Sequence, residues 1–185
     1  MAKFRLRLNV QKCVAQCNIF REKVGQSIFV ENMEIKVVPA TEGFPVLGTK
    51  YTLCQGVKAE FDNRIAAAWS KFHFILPLLR RKDTSYQKRL RLFKAVVGRS
   101  LLWACESWTL TTKQKATLKS VQRSMLRRFV GPARIQGESW VEWVKRATHA
   151  AESIAKRSNV QSWVEDYLAA QMEVVGAPCP DARIW

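Results

Sequence analysis

Hydrophobic and polar positions alternate near the start of the chain and then change period. Phe4, Leu6, Leu8 and Val10 alternate with Lys3, Arg5, Arg7 and Asn9, the pattern of a half-buried strand. Ser27 to Val30 is a short β-prone run, Glu31-Asn32 is a place to turn, and Met33 to Val38 alternates again. These runs predict a hairpin, although Asn-Met is a poor turn pair beside Asn-Gly. Pro39 should end the strand because it has no N–H for a ladder. Phe44 to Thr52 reads as a third extended stretch with Gly48 inside it, and a strand Gly often marks close approach of another backbone or a ligand.

From Val57 the apolar residues recur every three or four positions. Phe61, Ile65, Ala68, Trp69, Phe72, Ile75, Leu76 and Leu79 define one face of a helix, which Pro77 should end or kink. A polar connection, Arg80-Arg81-Lys82-Asp83, follows. Thr84 or Ser85 then caps a second helix with the stripe Leu90, Phe93, Val97, Leu101 and Leu102. Thr111 or Thr112 caps a third, with Leu118, Val121, Met125 and Phe129 on its apolar side and Gly131-Pro132 as its stop. Ser139 begins a fourth through Trp140, Val144 and Ala147, and a fifth runs from about Asn159 to Met172. The tail from Gly176 is Pro-rich and expected to be loose. The fold class implied is α+β, mainly α: a short N-terminal β segment followed by a helical bundle. Its expected divisions are 1–56, 57–131, 132–175 and 176–185.

Charge sharpens this picture. The net charge of +16 is uneven: residues 58–130 carry 17 basic and 4 acidic side chains, and residues 131–185 carry 6 and 7. Such a middle third favours phosphate backbones or anionic surfaces. Lys119, Arg123 and Arg127 follow at i, i+4 and i+8 on the third helix, beside its apolar stripe. Lys113, Lys115 and Arg128 add to them, and no acidic residue lies between Thr109 and Glu138. The second helix repeats the theme with Lys88, Arg89, Arg91, Lys94 and Arg99, and Arg80, Arg81 and Lys82 precede it. The competing reading is a solvated basic surface. Trp69, Trp103, Trp108, Trp140 and Trp163 fall mostly on helical stripes and are expected in the core; base stacking is their functional alternative.

Other chemistry is thin. Cys13 and Cys17 are four apart, but no Cys/His pair with zinc spacing follows, and His73 and His149 stand alone, so no metal is expected. There is no Gly-x-Ser-x-Gly elbow, phosphate-cradling Gly-rich loop or His-Glu-x-x-His. Glu60 and Asp62 suit a helix start, and Glu165-Asp166 are adjacent on a helix and do not face one site. No catalytic residue and no cofactor are therefore assigned. Five scattered Cys and the absence of an apolar leader point to reduced thiols and an intracellular protein, and no apolar run reaches the ~20 residues of a membrane span. Structured-looking sequence begins directly at Met1, as in a piece of something larger.

Five segments in order resemble the reverse transcriptases of LINE-type (non-LTR) retrotransposons. Leu8-Asn9-Val10-Gln11-Lys12-Cys13 resembles the Asn-x-x-Lys segment after the catalytic hairpin, and Phe44-Pro45-Val46-Leu47-Gly48-Thr49 resembles the primer grip, Phe-x-Tyr-Leu-Gly-Ser. Glu60 to Trp69 resembles the Glu-Ile-x-x-Arg-Ile-x-x-Ala thumb helix. Leu101 to Leu110 resembles Leu-Leu-Tyr-Gly-x-Glu-x-Trp-x-Leu, and Gln122 to Gly131 resembles a Gln-x-x-x-Leu-Arg helix with Gly after it. The resemblance implies the end of a palm, a primer-grip hairpin and a helical thumb. Leu47 and Gly48 would lie near the primer end. Arg80, Arg81, Lys82, Lys88, Arg89, Lys113, Lys119, Arg123 and Arg127 would be contacts to the backbone of an RNA–DNA or DNA duplex. Pro45-Val46 stands where the family has Tyr, and Trp103-Ala104 where it has Tyr-Gly. The carboxylate-bearing palm motif and the fingers would lie upstream of Met1, so the chain is not expected to catalyse by itself, and an upstream palm and fingers chain is its implied partner. Charge and resemblance together point to the nucleus. Two other readings stand beside this one: a Trp-rich helical protein-interaction module, and a polymerase fragment made active by another chain.

Overall fold

The computed structural model describes residues 9, 12–16, 27–30, 32–46 and 48–176. The expected strand over Lys3–Val10 except Asn9, half of the Leu8–Cys13 segment, Leu47, Cys17, Cys179 and the tail after Gly176 lie outside them. The fold is α+β and mainly α, with two small sheets preceding the helices. The chain divides into two compact units between Asn63 and Arg64, inside the first long helix. The helices after residue 131 belong to the second unit.

In the first unit, β1 (Val14–Gln16) runs parallel to β3 (Met33–Val38), and β2 (Ser27–Val30) pairs antiparallel on the other side of β3. The β2–β3 register opposes Val30 to Met33, and Asn32, just before β3, takes a left-handed φ of 64°. Asn tolerates that conformation better than most residues, which is why a hairpin forms without Asn-Gly. β3 ends at Val38, immediately before Pro39. Its last residues, Val37 and Val38, are buried together with Ala40. The stretch from Phe44 to Thr52 is itself a hairpin, β4 (Phe44–Val46) with β5 (Thr49–Tyr51), turning at Gly48 with φ 82°. Gln16 ties the unit together. Its amide donates to the Pro39 carbonyl at 2.7 Å and the Glu42 carbonyl at 2.9 Å, and accepts from the Leu53 N–H at 3.1 Å.

The first helix, α1, spans Val57–Leu79. Pro77 sits in its last turn, so only one carbonyl loses its donor and the helix still closes through the Arg80 N–H to the Leu76 carbonyl at 3.0 Å. α2 (Tyr86–Phe93) starts at Ser85, whose hydroxyl accepts from the Lys88 N–H. It continues through a π-helical turn (Lys94–Gly98) into the single turn α3 (Arg99–Leu101). Of the stripe read from the sequence, Leu90, Phe93, Val97 and Leu101 are fully buried, while Leu102 lies just past α3 and is half-buried. Ala104 then takes a left-handed φ of 56° and the chain reverses through a 3₁₀ turn, Cys105–Ser107, so Trp103 and Trp108 lie off the helices.

α4 (Thr112–Phe129) and α5 (Trp140–Arg157) both begin with capping boxes, Thr111 with Gln114 and Ser139 with Glu142. They lie antiparallel, because Arg123 meets Glu152 while Arg127 meets Thr148. Ala147, Ala151 and Ala155 recur every fourth residue on the buried face of α5, where small side chains permit close approach. The connection between these helices is tightly held. Arg146 grips the Glu138 carboxylate through two bonds of 2.8 and 2.7 Å, and Trp143 donates to the Pro132 carbonyl at 3.0 Å.

α6 (Trp163–Gly176) starts four residues later than the sequence pattern suggested, because Asn159 adopts φ 54° and breaks the chain after α5. The core of this unit is aromatic. Phe93 lies 5.4 Å from Phe129, 6.2 Å from Phe72 and 5.6 Å from Trp163, measured between ring centroids. Trp108 and Trp163 are buried, while Trp103 and Trp140 are 56% and 62% exposed, so the expectation of a core role holds for only part of the Trp set.

Candidate nucleic-acid interface

The cations picked out by sequence separate into those committed to the fold and those presented to solvent. Arg89 belongs to the fold. It is buried, donates to the Leu79 carbonyl at 3.1 Å and covers the Tyr86 ring at 4.2 Å, so it caps the end of α1. Arg81 pairs with Asp83 at 2.6 Å on an open surface. That hydrogen bond raises the Arg81 pKa and lowers that of Asp83.

The row on α4 divides the same way. Lys119 is exposed and makes no ion pair among the described residues. Arg123 meets Glu152 at 2.6 Å, and Arg127 donates to the Thr148 hydroxyl at 3.0 Å. Burial, and then the neighbouring Arg123 and Arg128, push the Arg127 pKa down. The helical spacing therefore placed three cations on one face, and α5 covers part of that face. Lys119 and Arg123 border an open groove of about 510 Å³, shared with Glu152 and Lys156 of α5 and Glu165 of α6. Its floor is pinned by Gln122, which donates to the Gln161 carbonyl and accepts from the Trp163 N–H. With both signs of charge along its rim, the groove is electrostatically mixed.

Lys82, Lys88 and Lys113 are exposed with no carboxylate partner among the described residues, and Arg91, Lys115 and Arg128 likewise have none. Lys94 is paired with Asp166 at 3.1 Å. Arg80 leaves the end of α1 and donates from Nε to the Arg128 carbonyl at 3.4 Å, placing a cation at the C-terminal end of α4. Gly48 is exposed at the β4–β5 turn; Leu47 beside it lies outside the described residues.

Sequence reading missed the surface that Arg80 and Arg128 build with α1. The Arg128 guanidinium lies over the Trp69 ring at 4.8 Å, and the His73 imidazole stacks on the same ring at 5.6 Å and 25°. His73 had been an isolated histidine in the sequence; the i, i+4 spacing to Trp69 was the available signal. The contribution of Arg128, 59 positions from Trp69, had no such signal.

No protein-family model, no characterised protein and no solved structure matches this chain. What fold and surface define is a mainly helical α+β chain whose second unit displays, on several helices, cations with no carboxylate partner among the described residues. Among the described residues no helix is long and apolar enough to cross a membrane, and no three His, Cys, Asp or Glu residues gather as a metal site.

Proposed function

We propose that this chain is a reverse transcriptase-like fragment of LINE type that binds nucleic acid through its basic helices and does not catalyse by itself. The observation carrying the proposal is the charge of residues 58–130, 17 basic against 4 acidic, with Lys82, Lys88, Arg91, Lys113, Lys119 and Arg128 exposed and unpaired with any described carboxylate. Such side chains hold a duplex by its phosphates without reading its bases. The five ordered motifs supply the family, with an RNA–DNA or DNA template–primer duplex as ligand and Leu47-Gly48 beside the primer end. The metal-holding carboxylates belong to the upstream palm, the implied partner, and the nucleus is the compartment this reading assigns.

The test is affinity for a short RNA–DNA duplex as a function of salt. Each phosphate contact contributes about 0.9 to the slope of log affinity against log salt. Changing Lys88, Lys113 and Lys119 together to Ala should make the slope shallower by about two to three. An unchanged slope, or wild-type binding indifferent to salt, refutes the proposal.

A second reading has its own observation. Ile135, Trp140 and Val141 are 60%, 62% and 59% exposed around the start of α5, which favours a protein-interaction module. Salt-indifferent nucleic-acid binding, together with loss of self-association or partner binding in Trp140→Ala, would support that reading.

A further inference from the structure

Three planar side chains form a preassembled stack on the second unit. Trp69 is half-buried, and its ring meets that of Phe72, a fully buried core residue, in a T-shaped contact at 5.7 Å and 86°. Phe72 also meets the His73 ring edge-on at 5.7 Å and 67°. These contacts key the stack to the core, since Phe72 packs on Phe93 and Phe129. The outer members are exposed: His73, stacked on Trp69, and Arg128, lying over it. Arg80 binds the Arg128 carbonyl through Nε, which leaves its two terminal nitrogens without a partner among the described residues. Neither Arg80 nor Arg128 forms an ion pair with a described carboxylate.

We propose that the Trp69–His73–Arg128 stack receives an unpaired nucleobase, with the Arg80 and Arg128 guanidinium groups on the phosphates beside it. The inference rests on the nucleic-acid reading above and adds to it a site for bases rather than backbone. Imidazole, indole and guanidinium planes are the groups on which unpaired bases stack. A base within a duplex has both faces covered, so the site selects single-stranded or splayed nucleotides. A purely apolar partner would have to desolvate two guanidinium groups without compensation, whereas phosphates supply their counter-charge. Because the rings are already held by Phe72, little ordering cost opposes binding.

The experiment compares two labelled strands of equal length and charge, an oligothymidylate and the corresponding abasic deoxyribose-phosphate strand, by fluorescence anisotropy with the full chain. The wild type should bind the thymidine strand about tenfold more tightly, the scale of one stacked base. Arg128→Lys keeps the charge and removes the plane, so the preference should fall towards unity while the salt slope is retained. His73→Ala should reduce the preference in the same way, with an unchanged far-ultraviolet circular dichroism spectrum confirming that each variant is folded. Equal wild-type affinity for both strands with a steep salt slope overturns the stack and leaves backbone binding standing. Full preference in both variants also overturns it. Binding to neither strand, or binding indifferent to salt, removes the nucleic-acid reading and this inference with it.

Discussion

Replacing Gln122 with Met tests how α4 holds the start of α6. The Gln122 side chain is 6% exposed; its Nε2 donates to the Gln161 carbonyl at 3.2 Å and its Oε1 accepts from the Trp163 N–H at 3.0 Å. Trp163 is 1% exposed, so removing Oε1 strands a buried helix-terminal N–H at about 1–3 kcal/mol. Gln161 is exposed and its carbonyl can turn to water, which adds about 0.5–1 kcal/mol. Met has nearly the same shape and contributes little change of packing, so the expected loss is about 2–4 kcal/mol. Gln122→Glu keeps the acceptor for the Trp163 N–H and places a carboxylate at a helix N-terminus, so it should lose much less. Every tryptophan lies at residue 69 or later, so tryptophan fluorescence in urea reports the second unit by itself. With a slope of about 2 kcal/mol per molar, the Met variant should shift the midpoint downward by about 1–2 M. Equal midpoints for the Met and Glu variants, or a Met variant as stable as wild type, would refute the reasoning.

The Glu138 carboxyl is held down to about 2 from 4.5, chiefly by its hydrogen bonds with Arg146 and further by the Ile135 N–H. A depressed folded pKa stabilises above the ordinary value and loses that contribution as pH falls, so the α4–α5 connection should weaken between about pH 4.5 and 2. Glu138→Gln should flatten acid unfolding followed by tryptophan fluorescence in that window, and an identical profile would count against the linkage. Burial, with help from Glu106, pushes the Cys105 thiol up to about 11. Cys105→Ala should therefore leave the number of thiols titrated by a disulfide reagent in native protein at pH 8 unchanged, and lower it by one after unfolding; a lower native count would contradict the burial. At Gly131 an added Cβ would lie 2.6 Å from the Arg127 carbonyl oxygen and 3.1 Å from its Cα, both backbone. Gly131→Ala should cost about 1–3 kcal/mol in urea unfolding, and a neutral result would show that the helix end shifts freely.

What the sequence made legible was local. The Leu90, Phe93, Val97 and Leu101 stripe, the Ser85, Thr111 and Ser139 caps, and the strand end before Pro39 all follow from spacing and backbone chemistry within a few residues, and all are present. The parallel pairing of β1 with β3 was not legible, since nothing in three residues names a partner 22 positions away. Neither was the reversal at Ala104, where the surroundings hold a non-glycine residue at positive φ against its intrinsic preference.

The candidate site shows the same limit in its electrostatics. Helical spacing correctly aligned Lys119, Arg123 and Arg127 on one face of α4, but spacing does not say what covers that face. Glu152 and Thr148 belong to a helix whose own region is nearly charge-neutral, and packing brings them onto Arg123 and Arg127. A carboxylate already 2.6 Å from Arg123 must be displaced before a phosphate can take its place, whereas Lys119 has no such competitor among the described residues. Availability, rather than position in the row, then ranks the cations. The same criterion raises Arg128, which lies over Trp69 of α1 and lacks any described carboxylate, above two neighbours that looked equivalent in the sequence. Tertiary packing thus leaves Lys119 and Arg128 as the exposed cations of this stretch without a described carboxylate, and Arg80 joins Arg128 from α1 at the C-terminal end of α4.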